Sequence, residues 1–303
     1  MNVVRMVIGA AVCATLLAAC GGSAEKPETP PTEQQSLDRS ARLAFAQGRY
    51  DQAASLYEAA LLAALKEDAP QAIVDARFNL ALCQTYQGQY AEALDQLEQA
   101  EAERLRRGVV GEGSIELLRG TIHYRSGQLD KARLVLQTLL VGDNGSAATA
   151  TKAHFVLGLI AADQGDIKDL STHLNAIGAD AVQASATDRL ELTALLSALQ
   201  GEADQALAQL EQVARLRRDE RDYRGMVRVL AKAGDVAEHA QRIQSAGRYL
   251  LRAGRSAAQR REPETRGWLE RAEQLASRAG DTETAREARE LLNGLEDKAA
   301  TSR

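Results

Sequence analysis

Chemically distinctive residues are few in this chain, and most stand alone. Cys20 closes an apolar run, "MVIGAAVCATLLA", and Gly21, Gly22 and Ser23 follow it at once. A thiolate is the nucleophile of choice for accepting an acyl or alkyl group, so a cysteine placed there reads as a modification site. Cys13 lies inside the same run, and Cys83 sits in an apolar helical pattern, where it reads as a small buried hydrophobe. The histidines (His123, His154, His173, His239) lack HExxH or CxxC spacing and give no metal site. The glycines of "GVVGEG" follow nothing strand-like, and no GxxxxGK[ST] or GxGxxG frame occurs, so no nucleotide site is expected. Asp143-Asn144-Gly145-Ser146 lacks the spacing of a calcium loop and reads as a turn. Serines are scattered without a motif that supplies a base. The chain is therefore read as a non-enzyme without cofactor or metal.

What must position any recognition surface is helical. Of the 303 residues, 45% are hydrophobic and 26% charged, with five prolines and 4% aromatics, and alanine and leucine abound. Both residues lose little freedom in a helix. A net charge of −5 excludes a typical nucleic-acid binder, which is strongly basic. The charge is uneven: residues 20–213 carry a balance of −11 and residues 214–303 one of +5, an asymmetry that can steer an approaching partner.

The first residues resemble a bacterial lipoprotein signal. One positive charge in "MNVVR" precedes an apolar run too short to span a hydrocarbon core, which takes about 20 helical residues. Leu17-Ala18-Ala19-Cys20 resembles the lipobox, in which the signal is cut before a cysteine that carries lipid. The resemblance implies a signal peptide over 1–19 and lipidation of Cys20. Gly21, in place of an aspartate, implies outer-membrane attachment facing the periplasm. Residues 20–35, rich in Pro, Gly, Glu and Thr, read as a disordered tether.

The body repeats. "LAFAQGRYDQAASLYEAAL" and "LCQTYQGQYAEALDQLEQA" share a helical stripe, a glycine, an aromatic and an alanine in the same order. Aligned on the glycine, the frame recurs at Gly48, Gly88, Gly127, Gly165, Gly201 and Gly234, at spacings of 40, 39, 38, 36 and 33 residues. A period of this length marks a solenoid. Glycine can take the left-handed conformation that ends one helix and reverses the chain. Five residues on, Ala53, Ala93, Ala132 and Ala206 allow close approach of the second helix, while Leu170 and His239 depart from the pattern. Ala81, Gly120, Gly158 and Ala194 hold the matching small position seven residues before the glycine.

These residues resemble tetratricopeptide (TPR) repeats, helical hairpins of about 34 residues. The resemblance implies an all-α, right-handed superhelical solenoid over 36–235, atypical helical repeats over 236–296 and a disordered tail at 297–303. In that family the first helices line a concave groove. By the same positions here the groove falls on Arg42, Phe45, Phe78, Leu82, Tyr86, Leu117, Thr121, Tyr124, Arg125, Phe155 and Leu159. Aromatics and arginine dominate binding hot spots. The expectation is a lipid-anchored scaffold that binds protein partners of a cell-envelope complex of pilus, secretion or outer-membrane assembly type, with no nucleic acid. The alternative is a periplasmic module that captures a solute for a transporter.

Overall fold

The computed structural model describes residues 32–142, 145–178, 183–260 and 262–301. The signal peptide, Cys20, most of the tether, Asp143 and Asn144 of the expected turn, and the last two residues of the tail lie outside them. Among the described residues every regular element is helical, and the fourteen helices form seven hairpins. In chain order these are α1 (Glu33–Ala46) with α2 (Tyr50–Lys66), α3 (Pro70–Gln87) with α4 (Tyr90–Arg107), and α5 (Ser114–Arg125) with α6 (Leu129–Val141). Then come α7 (Ala147–Asp163) with α8 (Ile167–Ala176), α9 (Gln183–Leu199) with α10 (Ala203–Asp219), α11 (Tyr223–His239) with α12 (Ile243–Ala258), and α13 (Thr265–Arg278) with α14 (Thr282–Thr301). Each helix packs mainly on its sequence neighbours, with further packing of α5 on α7, α7 on α9 and α12 on α14. This is an all-α helical-repeat solenoid.

Local chemistry fixes the ends of the helices. Thr32 Oγ1 accepts from the Gln35 amide at 3.2 Å and Gln35 Oε1 accepts from the Thr32 amide at 3.1 Å, a reciprocal capping box. Helix α1 therefore begins at Glu33, inside the stretch read as tether. Pro70 opens α3, where its missing N–H is harmless, and Ser146 and Asp166 cap α7 and α8. At the far end α14 runs to Thr301, so the tail expected from 297 is helical as far as that residue. Leu, Glu, Lys and Ala in "LEDKAAT" are strong helix formers.

The hairpin turn lies at Gly48, Gly88, Gly127, Gly165 and Gly201, all at positive φ, as the frame requires. The sixth turn is not at Gly234. It is at Gln241, which adopts φ 58° without being a glycine, and the seventh is at Gly280, φ 70°. The turns from Gly201 onward are thus 40 and 39 residues apart, and the register continues through the region expected to be atypical. With the turn at Gln241, the alanine five residues on is Ala246, fully buried, and His239 is merely the last residue of α11.

Gly234 is the small residue seven before that turn. A Cβ there would lie 2.7 Å from Leu250 Cγ, just as one on Gly120 would lie 2.6 Å from Leu136 Cγ. Leu97, Leu136, Leu210 and Leu250, each nine residues after its turn, are fully buried, worth about 1.5–3 kcal/mol apiece. The small residue lets the leucine of the second helix reach the backbone of the first.

Gly234→Ala tests the corrected register. Overpacking of about 1–3 kcal/mol is set against about 1 kcal/mol gained in helix propensity, so urea unfolding should show a net loss of stability. A more stable variant would mean that Gly234 is not the contact residue.

Candidate functional site: a cavity inside the superhelix

The solenoid curves until its C-terminal part meets its N-terminal part. The α12–α13 connection does this with few residues. Arg260 reaches Gly48 and hydrogen-bonds the Tyr50 hydroxyl, while the Pro263 ring lies against Gly88. Glu264 sits 3.4 Å from Arg125, and the Arg224 guanidinium stacks 4.4 Å over the Tyr86 ring. On the N-terminal side of this seam Phe45, Tyr50 and Tyr86 form one aromatic cluster, with ring centroids 4.7–5.3 Å apart.

The seam bounds a half-open cavity of ≈ 840 Å³. Phe78, Leu82, Tyr86, Leu117, Thr121, Tyr124, Arg125, Phe155 and Leu159, all named from the repeat positions, line it. Arg42 and Phe45 line a neighbouring hollow of ≈ 580 Å³, which shares Phe78 and Leu82 with the first. Arg42 is exposed there and pairs with Asp38 at 2.8 Å. Phe155 and Leu159 also belong to the hydrophobic core, so they serve packing and wall at once.

The opposite wall was not read from the sequence. It comes from α11, the α12–α13 connection and α13: Asp222, Arg224, Arg228, Glu262, Glu264 and Trp268. The signal was present, since stepping 40 residues from Gly201 reaches Gln241 and brings α11 into register as a first helix.

Charge around the cavity is almost wholly paired. The Tyr124 hydroxyl donates to Asp163 Oδ2 at 2.9 Å, and burial next to Asp163 holds the phenol protonated far above its usual range. Lys232 also reaches Asp163, at 2.5 Å. Below Phe155 lies a buried ion network: Arg217 donates to Asp188 at 2.6 Å and to Glu191 at 2.8 Å, and Arg228 and Lys152 complete it. Its two carboxylates outweigh the cost of burial and raise the Arg217 guanidinium, which stays charged. The guanidinium carbons of Arg217 and Arg228 both lie 5.4 Å from the Phe155 ring centroid.

Glu262 is different. Its carboxyl is almost fully buried, and burial pushes it up to about 7 against the pull of Arg125 and Arg260. Arg224 Nη2 lies 2.7 Å from Glu262 Oε2 but is not aligned to hydrogen-bond it.

Elsewhere the His154 and His173 Nδ1 atoms face each other at 3.0 Å between α7 and α8, and burial lowers both imidazoles. Among the described residues no group of three or more His, Cys, Asp or Glu is placed to hold a metal ion. Cys83 is buried, and its thiol is pushed up to about 12.

With this geometry in hand, residues 33–102, the first two hairpins, match the tetratricopeptide repeat family. No curated protein sequence matches the chain. Among solved structures, the Rap conjugation gene regulator of plasmid pLS20 in complex with the Phr* peptide is similar at 13% identity. It covers 83% of this chain and 76% of its own, with a TM-score of 0.58. The apo quorum sensor NprR from B. thuringiensis is similar at 11% identity over 87% of each chain, TM-score 0.53. A signal-transduction ATPase with a tetratricopeptide repeat sensor from Pyrococcus horikoshii is similar at 13% identity over 89% of this chain and 43% of its own, TM-score 0.51. At these identities the likeness establishes the fold.

The Glu262 shift has a consequence for stability. The folded carboxyl binds its proton more tightly than the unfolded one, at about 7 against 4.5. Its contribution is therefore full below about 4.5 and lost as pH rises through about 7. The Tm of the wild type relative to Glu262→Gln should fall between pH 4.5 and 7.5 and level off above. A difference that stays constant across that range would refute the burial of an ionisable carboxyl there.

Proposed function

We propose that the chain is a lipid-anchored scaffold of the cell envelope that holds an extended segment of a protein partner inside its superhelix. The carrying observation is the cavity: nine residues at concave repeat positions on one side, and α11 to α13 on the other, surround a space with an aromatic and aliphatic wall and charged groups at its edge. Such a lining offers apolar anchors and a few polar fixes, which is how ligand sites obtain both affinity and orientation. The fold commonly mediates protein–protein interaction, and the similar Rap regulator was solved with a peptide bound. The lipobox-like Leu17-Ala18-Ala19-Cys20, with Gly21 after it, supports attachment to the outer membrane facing the periplasm. Assembly or operation of a pilus, secretion or outer-membrane complex is the fitting role.

One observation favours a second reading. The cavity is concave and half open, and ≈ 840 Å³ falls within the range of small-molecule sites. A solute carried to a transporter would fit such a space.

Affinity capture from detergent-solubilised membranes should recover a defined envelope protein, and the pair Phe78→Ala with Tyr124→Ala should reduce recovery at least tenfold. Unchanged recovery would remove the cavity from the interaction. A thermal shift produced by one member of a metabolite panel, with no protein recovered, would establish the solute reading instead. For the anchor, mass spectrometry of the mature protein should find Cys20 at the amino terminus bearing lipid, and Cys20→Ser should release the chain from the membrane fraction. An unlipidated mature terminus would refute it.

A further inference from the structure

Several buried side chains carry a polar atom without a hydrogen-bond partner, and among the described residues Arg224 and Glu262 are those that also line the cavity. Arg224 leaves Nη1 and Nη2 without an acceptor, and Glu262 leaves Oε1 without a donor. Both are held in place. Arg224 stacks on Tyr86 at 4.4 Å. The backbone of Glu262 is fixed at both ends: its N–H donates to Ala257 O at 3.2 Å, and its carbonyl accepts from Thr265 N at 3.2 Å and Thr265 Oγ1 at 2.6 Å. The two groups lie 2.7 Å apart without the alignment of a hydrogen bond.

Such atoms have given up water and received nothing in return. What they lack is an acceptor for the guanidinium and, beside it, a donor for the carboxylate. A carboxylate ligand supplies only acceptors and an ammonium only donors. The backbone of one extended residue supplies both on the same side, its carbonyl oxygen and its own N–H. We propose that Arg224 and Glu262 together recognise the backbone of one extended residue of the bound segment, whose N–H and carbonyl point to the same side, the carbonyl accepting from Arg224 and the N–H donating to Glu262 Oε1. This rests on the reading of the cavity as the seat of an extended segment, and it names the polar contact that sets the position of that segment. The apolar wall at Phe78, Leu82 and Leu117 then takes side chains, while the pair takes backbone. Selectivity would follow for chain that is extended at that point, since a helical segment has already used its own N–H and carbonyl.

The test uses the full chain in detergent at pH 8, where the Glu262 carboxyl is ionised. An array of acetylated, amidated pentapeptides identifies a binder, and its affinity is measured by calorimetry. Each backbone N–H of that peptide is then replaced in turn by an ester oxygen. The expected result is that a single ester analogue loses tenfold or more on the wild type. That analogue should bind no worse than its parent to Glu262→Met, where the acceptor is gone. Arg224→Met should weaken the parent by a similar factor. The ester scan on the wild type stands even if a variant fails to fold. If no pentapeptide binds, this proposal and the segment-binding reading both fall. If a pentapeptide binds and is lost on Phe78→Ala with Tyr124→Ala, yet every ester analogue binds equally well, the cavity is the site and the recognition of one residue's backbone is refuted.

Discussion

The structure depends on a contact that recurs along the solenoid: a side chain small enough to expose backbone on a first helix, and a leucine that fills the space. The leucine comes from the second helix of the same hairpin at Gly120 and Gly234, and from α9 of the next at Gly158. Gly120 against Leu136 and Gly234 against Leu250 show it directly, since no Cβ fits at either glycine without displacing the leucine. Ala81, opposite Leu97 in the same register, occupies the same position and is fully buried. The contact fixes how closely paired helices lie, and interiors are too densely packed for that distance to drift. Small rotations between hairpins add up along a solenoid. Here they add up far enough for the α12–α13 connection to meet the turns at Gly48 and Gly88.

That meeting is unusual for a repeat architecture, in which each unit ordinarily touches only its neighbours. It is also slight. Helices of the two ends do not pack broadly on one another. The seam consists of Arg224 stacked on Tyr86, the hydrogen bond from Arg260 to Tyr50, one proline ring and the Arg125–Glu264 pair at 3.4 Å. Cation–π contacts contribute about 0.5–2 kcal/mol each, and a partly exposed ion pair about 0–1 kcal/mol. Hairpin interfaces, by contrast, bury whole leucines. The boundary that lines the cavity is thus weaker than those that build it, which suits a space that must admit an occupant.

The sequence made the hairpins, the turn glycines and one wall of the cavity legible, because these follow from local rules. A left-handed turn calls for glycine, and a close approach calls for alanine or glycine at a fixed offset. The rule misled only where a residue broke the code. Gln241 takes the left-handed turn without being glycine, at a cost of about 1–2 kcal/mol. Gly234, seven residues earlier, then offered itself as the turn when it is the contact residue. That single displacement hid α11 as a first helix, and with it Asp222, Arg224 and Arg228. Glu262 was hidden for another reason. It lies in a connection, outside any periodic pattern, and its place opposite Tyr86 is a product of superhelical closure that no local spacing encodes. The start of α1 was missed by three residues because a capping box converts polar Thr-Glu-Gln-Gln from tether into the first turn of a helix.

Two arginines seven residues apart show how this closure divides structural from recognition chemistry. Arg217 is fully enclosed, and its guanidinium donates to Asp188, Glu191 and Asp222. Desolvating so many charges brings little net stability, yet removing one member strands the rest at a cost of about 3–5 kcal/mol. A network of that kind persists whatever else happens, and it holds α9, α10 and α11 in one arrangement beneath Phe155. Arg224 is carried on the same α11 but faces the seam. There its one carboxylate neighbour is placed for attraction and not for hydrogen bonding. Each unsatisfied donor or acceptor costs about 1–3 kcal/mol, and in the cavity wall the solenoid bears that cost where its two ends come together. A rigid ion cluster under the wall, in which both terminal nitrogens of Arg217 are bonded, and an unbonded pair within the wall are complementary. The first fixes the position of the second, so that whatever completes the hydrogen bonds of Arg224 and Glu262 meets groups already in place and recovers their desolvation without reorganising the fold.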